Sequence, residues 1–157
     1  MESEIERNAQ DWFRFMVDTN LAPGLRALGF FGVGRRFRIE GPAHWGEIAV
    51  EQARSFTART VRFTVHIGVI SRDEWAAQLR VRPYYPANET VRPQWSGWQA
   101  PIGEVVTVAG QPIGELWWEL EVGRPFERMA KEILNAIEVF GLPAMRDQMT
   151  AAPEEPE

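Results

Sequence analysis

Few side chains of this sequence could carry out acid–base, nucleophilic or metal chemistry. The 157 residues include two histidines, His44 and His66, and no cysteine. Without cysteine there is no thiolate nucleophile, disulfide or cysteine-ligated metal site. The serines and threonines show no nucleophile-elbow spacing, and the histidines form no His-x-His or His-x3-His pair. The sequence therefore predicts no catalytic residue, no cofactor and no metal site.

One grouping of ionisable residues follows from the predicted strands. A four-residue turn pairs Glu40 with Trp45 and so places Arg38 opposite Glu47. If the next hairpin pairs Glu47 with His66, then Arg38, Glu47 and His66 form a row across the polar face. A carboxylate beside an imidazole can tune it as a general base or proton sensor, but the row can equally be a solvated cross-strand salt bridge. A two-residue shift of the second hairpin preserves the alternation and removes the row.

Aromatic residues in and beside the segment 83–100 form the second candidate feature. The segment shows no helix or strand pattern, and irregular stretches of this length are often functional. Tryptophan, tyrosine and arginine are enriched at interface hot spots. We therefore expect a binding surface made of Arg38, Glu47, His66, Trp75, Tyr84, Tyr85, Trp95 and Trp98. The same rings could instead cover the open side of the sheet.

Composition and charge are those of an ordinary globular protein. The 17 basic and 22 acidic residues give a formal net charge of −5. Residues 35–100 nevertheless contain ten arginines against six acidic residues, which keeps nucleic-acid binding open as a less favoured alternative. No apolar run reaches the roughly 18 residues that a membrane span needs, and the acidic N-terminus is unlike a signal peptide. We expect a cytoplasmic protein without membrane contact.

Helices are predicted at both ends of the chain and in its middle. Residues 3–28 and 125–140 each carry an apolar stripe with helical spacing. Pro23 is expected to interrupt the first helix, and Pro143 marks the end of the last one, because proline cannot donate the helical hydrogen bond. Ser71 opens a short helix through a capping-box pattern.

Alternation of apolar and polar residues predicts strands at 36–40, 47–51, 61–69, 102–108 and 113–121. Runs of strands between helices are typical of α+β proteins. The predicted fold is a single α+β domain over residues 1–149. It has an antiparallel sheet of about five strands, with the N- and C-terminal helices packed on one face. Residues 150–157 are interpreted as a disordered acidic tail, and no internal repeat is recognised.

Several short motifs, spread over residues 10–148, match the pattern of a known family. They are Leu25-Arg26-Ala27-Leu28-Gly29-Phe30 with Arg36-Phe37, then Gln52, His66-Ile67-Gly68-Val69, Ile102-Gly103-Glu104, Trp117-Trp118 and Gly141-Leu142-Pro143. The chain thereby resembles an uncharacterised bacterial family, domain of unknown function 4304. The resemblance implies a small bacterial intracellular α+β domain and carries no activity with it.

The sequence thus favours a noncatalytic module whose partner is another protein, as an immunity-type protein binds its toxin. Two alternatives stay open. One is small-molecule binding, or a minor enzymatic activity, in a pocket between loop 83–100 and the sheet; the other is nucleic-acid binding through the arginine-rich middle. An interaction module should expose its aromatic residues as a patch, whereas a ligand site should enclose them around a cavity.

Overall fold

The computed structural model describes residues 7–81 and 97–150. Its strands are β1 (Phe31–Val33), β2 (Arg36–Glu40), β3 (His44–Gln52), β4 (Thr60–Ser71), β5 (Trp98–Pro101), β6 (Thr107–Val108), β7 (Gln111–Pro112) and β8 (Trp118–Glu121). Its α-helices are α1 (Ala9–Met16), α2 (Ala22–Ala27), α3 (Arg72–Val81), α4 (Glu127–Ala136) and α5 (Leu142–Thr150). No helix among these residues is long and apolar enough to cross a membrane.

Six of the strands form one antiparallel sheet in the order β1-β2-β3-β4-β5, and β8 also pairs with β4. Strand β4 is twelve residues long. Its second half pairs with β5 through residues 66–69, and its first half pairs with β8 through residues 60–63. Two short strands therefore share one edge of a long central strand. The α+β prediction is confirmed.

The predicted strand at 102–108 is confirmed only at Thr107–Val108, which form β6, and is wrong over the rest. The strand before it, β5, ends at Pro101, and Ile102–Glu104 form a 3-10 turn. Ile102 is fully buried from this turn, so its place in the apolar pattern reflects core packing rather than a strand. Of the predicted strand at 113–121, only the last four residues pair with β4. The N-terminal helix begins at Ala9, where Asn8 and Asp11 form a capping box.

Contrary to the prediction, Pro23 and Pro143 do not interrupt the terminal helices. Residues Val17–Leu21 join α1 to α2 as a π-helical turn, and Ile137–Gly141 join α4 to α5 in the same way. A proline ring lacks the N–H and collides with the carbonyl four residues earlier. The wider π turns end at Leu21 and Gly141, two residues before Pro23 and Pro143, and each helix continues past its proline. Thr150, assigned to the tail from sequence, is the last residue of α5, and residues 151–157 lie outside the described part of the chain.

The two terminal helices contain an internal correspondence that the sequence did not reveal. Residues 17–25 and 137–145 have the same succession of buried, intermediate and exposed positions. Each stretch also contains the π turn and a proline at the seventh position. Gly24 of α2 lies so close to Leu134 of α4 that a Cβ atom would overlap the leucine side chain. The two helices therefore pack in close contact at this point.

The main core lies between the terminal helices and one face of the sheet. Helix and strand side chains form a single buried cluster there, with Phe13, Phe37, Ile48, Phe63 and Ile133 among its fully buried members. The opposite face of the sheet, which we call the outer face, carries the alternate residues of the same strands. Three of the predicted site residues, Arg38, Glu47 and His66, lie on the outer face.

Candidate interaction surface

The register of the first hairpin is confirmed, and that of the second is not. Arg38 lies opposite Glu47, as predicted. Glu47, however, lies opposite Gly68, and His66 lies opposite Ala49. The predicted row of Arg38, Glu47 and His66 is therefore wrong by a two-residue shift. Period-two alternation is preserved by such a shift, and the loop between β3 and β4 is too long to set the register by itself.

His66 pairs instead with Glu51 on the same strand pair. Its Nδ1 atom lies 3.0 Å from Oε1 of Glu51, and each side chain is about a third exposed. Gln99 and Pro101 of β5 help to line a cavity of about 180 Å³ beside this pair. Ligand pockets usually have a volume of at least about 300 Å³. His66 and Glu51 thus line a cavity that is smaller than a usual ligand pocket and that does not include Arg38.

Charged side chains are buried on the outer face, where the sequence suggested a solvated surface. Glu47 is 4% exposed and accepts a hydrogen bond from Nη1 of Arg36 at 3.2 Å. Arg38, on the opposite strand, is 7% exposed. Burial lowers the pKa of the Arg38 guanidinium, and the carboxylates of Glu47 and Glu40 oppose this effect. Charges are buried in proteins when neighbouring charges and hydrogen bonds compensate them.

Trp45 lies beside these charges and contacts two guanidinium groups. The Cζ atoms of Arg38 and Arg72 lie 4.6 Å and 4.3 Å from the centre of its ring. The ring of Phe31 meets Trp45 edge-on with centroids 6.4 Å apart, and the Cζ atom of Arg38 also lies 5.2 Å from Phe31. Such cation–π and edge-to-face contacts hold long side chains in defined positions. We call Phe31, Arg36, Arg38, Trp45, Glu47 and Arg72 the arginine–aromatic cluster.

Arg72, the first residue of α3, forms hydrogen bonds with the turn between β2 and β3. Its Nη2 atom lies 2.7 Å from a carboxylate oxygen of Glu40. Its Nε and Nη2 atoms donate to the carbonyl of Gly41 at 3.1 Å and 2.8 Å. Ser71 accepts a hydrogen bond from the N–H of Glu74 at 3.0 Å, which confirms the predicted start of the helix. The cluster is thus built on strands and a helix start rather than on a loop.

Part of the cluster is open to solvent. Phe31 is 43% exposed on the edge strand β1, and the Arg36 side chain is 37% exposed. Trp45 is half-buried. The buried residues Glu47 and Arg38 contact these accessible groups: Glu47 binds Arg36, and Arg38 packs on Phe31 and Trp45. The result is an ordered surface with aromatic and cationic groups side by side.

Of the five aromatic residues of the predicted binding surface, the structure describes two, Trp75 and Trp98. Trp75 of α3 is 6% exposed, and Trp98 of β5 packs half-buried against the main core, so both cover the interior. Tyr84, Tyr85 and Trp95 lie outside the described residues. Trp117 and Trp118 lie on opposite faces of the sheet: Trp117 contacts Arg62 on the outer face, and Trp118 stacks on Phe63 in the core.

Sequence reasoning overlooked four members of the cluster. The confirmed register of the first hairpin already places Arg36, Arg38 and Trp45 on one face, so that signal was available. Phe31 lies on β1, a short edge strand that the alternation pattern did not predict. Arg72 enters the cluster only because α3 starts beside the β2–β3 turn.

Among the described residues, no group of three or more histidine, cysteine, aspartate or glutamate side chains could hold a metal ion.

Comparison with known proteins gives one match. The family model described as domain of unknown function (DUF4304) matches residues 21–147. No curated protein and no solved structure matches the chain significantly.

Proposed function

The chain belongs to the DUF4304 family, and we propose that it is a noncatalytic module that binds another protein through the arginine–aromatic cluster. The observation that carries this proposal is the placement of Trp45 against the guanidinium groups of Arg38 and Arg72, beside the exposed ring of Phe31. Tryptophan and arginine are the residues most enriched at interface hot spots.

The packing of the cluster favours binding because it reduces the entropy lost on association. Ordering a free side chain at an interface costs about 0.5–1.5 kcal/mol. Arg72 is already held by Glu40 and Gly41, and Arg36 by Glu47. A partner therefore meets side chains that are largely fixed before it arrives.

A concrete form of the proposal is an immunity-type role in the bacterial cytoplasm, with a toxin as the partner. The acidic composition, with a net charge of −5, and the lack of a recognisable catalytic motif are compatible with such a role. A partner surface that offers carboxylates and apolar groups together would complement Phe31, Trp45 and the arginines. We place small-molecule binding beside β5 second, because the cavity between His66 and this strand is smaller than usual ligand pockets.

The proposal is tested by affinity capture from the native host, followed by measurement of Kd with the purified partner. Phe31→Ala removes an exposed ring and should weaken binding at least about tenfold. Val108→Ala, which truncates another exposed apolar side chain away from the cluster, is the matched control and should bind as the wild type does. Equal Kd values for wild type, Phe31→Ala and Val108→Ala would contradict the proposal.

A further inference from the structure

A second charged feature lies at the end of the sheet, between α1, α2 and the turn that joins β1 to β2. A groove of about 520 Å³ opens there. Its lining includes three arginines, Arg14, Arg26 and Arg35, and one acidic residue, Asp18. None of these residues belongs to the arginine–aromatic cluster, so the groove is independent of the proposed function.

Arg35 is half-buried in this groove, which Arg14 also lines. Its Cζ atom lies 4.9 Å from the centre of the Phe13 ring. Burial lowers the pKa of the Arg35 guanidinium, and the nearby charge of Arg14 lowers it further. Within residues 7–81 and 97–150, no carboxylate oxygen lies within 4.0 Å of Arg35. The Arg35 guanidinium is therefore partly desolvated in a groove that Arg14 also lines.

The other two arginines have only weak compensation. Arg14 is largely exposed and reaches Asp11 at 4.0 Å, the outer limit of an ion pair. Arg26 donates from Nη2 to the carbonyl of Gly32 at 3.1 Å, which positions its guanidinium without neutralising it. Asp18 is the one acidic residue among the described residues that line the groove, so these residues give it an excess of positive charge.

We propose that this groove binds a phosphorylated small molecule, with its phosphate groups between Arg14, Arg26 and Arg35. Guanidinium groups match the oxygens of phosphate in geometry and charge. A bound dianion would remove the repulsion between Arg14 and Arg35. The volume of the groove is larger than a single phosphate requires, and a diphosphate is therefore a suitable minimal probe.

Isothermal titration calorimetry with pyrophosphate tests the proposal on the full chain. Wild type should bind, and Arg14→Gln and Arg35→Gln should each weaken binding by about tenfold or more, as expected for loss of a charge-assisted hydrogen bond. Arg128→Gln removes an exposed arginine from α4 and is the matched control, which should leave Kd unchanged. Because Arg14 is largely exposed, its substitution leaves the fold intact even if Arg35→Gln does not.

Three results would overturn the proposal. The first is the absence of pyrophosphate binding to wild type beyond the effect of potassium chloride at the same ionic strength. The second is an unchanged Kd in Arg14→Gln. The third is binding of citrate as tight as that of pyrophosphate, because the groove would then select negative charge and not phosphate.

Discussion

Glu47 accepts a hydrogen bond from Arg36 at 3.2 Å while remaining 4% exposed, on the sheet face that does not carry the main core. The carboxylate is thus removed from water, and its charge is balanced by arginines of the neighbouring strand. A buried carboxylate that lost these neighbours would be strongly unfavourable. The arrangement holds the cluster together and makes its stability sensitive to single changes.

Replacement of Glu47 by glutamine should lower the free energy of unfolding by about 1–3 kcal/mol, because Arg36 and Arg38 would lose a buried charged partner. Urea denaturation at pH 7 measures the difference. Glu51→Gln is the matched control: its partner His66 and the carboxylate itself are each about a third exposed, and the loss should stay below about 1 kcal/mol. Equal effects of the two substitutions would refute a buried role for Glu47.

Arg72→Lys should lower the free energy of unfolding by about 1–2 kcal/mol, because an ammonium group cannot reproduce the planar contact with Trp45 together with the bonds to Glu40 and Gly41. Thermal unfolding followed by circular dichroism gives the comparison. Arg124→Lys changes an exposed arginine that pairs with Glu121, three residues earlier in the chain, and should cost less than about 0.5 kcal/mol. An Arg72→Lys protein as stable as Arg124→Lys would show that the contacts of Arg72 contribute nothing.

Gly103→Ala should lower the free energy of unfolding by about 2–3 kcal/mol, since a Cβ atom there would overlap the carbonyl oxygen of Gly114. That segment cannot retreat without loss of the hydrogen bond from Gly114 N–H to Gly103 O, at 3.0 Å. Gly68→Ala is the control, because a Cβ atom at Gly68 meets its nearest neighbour at 3.4 Å. Similar chemical denaturation curves for the two variants would exclude the overlap.

Trp118→Ala should cost more stability than Trp117→Ala, although the two residues are adjacent. Trp118 stacks on Phe63 with ring centroids 6.1 Å apart, and loss of its ring from the core should cost about 2–3 kcal/mol. Trp117 contacts Arg62 at 4.8 Å on the outer face, which contributes about 1 kcal/mol. Guanidinium denaturation of both variants checks the order, and the reverse order would contradict the assignment of faces.

Local chemistry was sufficient to predict much of the fold. The turn between β2 and β3 is short, so it determines the pairing of Arg38 with Glu47 without help from distant residues. The apolar stripes of the terminal helices identify the faces that pack on the sheet, with Phe13 and Ile133 in the core. The alternation of β4 likewise separates its core face from its outer face.

Other features depend on contacts between distant parts of the chain. The register of β3 on β4 separates His66 from Glu47, and no local signal distinguishes it from the alternative two residues away. Arg72 joins Trp45 only because α3 starts beside the preceding turn. The part of the candidate site that was predicted is therefore the pair within the first hairpin, and the part that was missed comes from other elements.

By itself, the sequence determined the α+β class, the buried faces of its elements and the register of the short hairpin, because each depends on neighbouring residues or on a simple period. Tertiary structure decided the second register, the continuation of both helices past Pro23 and Pro143, and the assembly of Phe31, Trp45 and Arg72 into one surface. The physical reason is that these features are selected by packing energies between distant segments, which the local pattern does not encode.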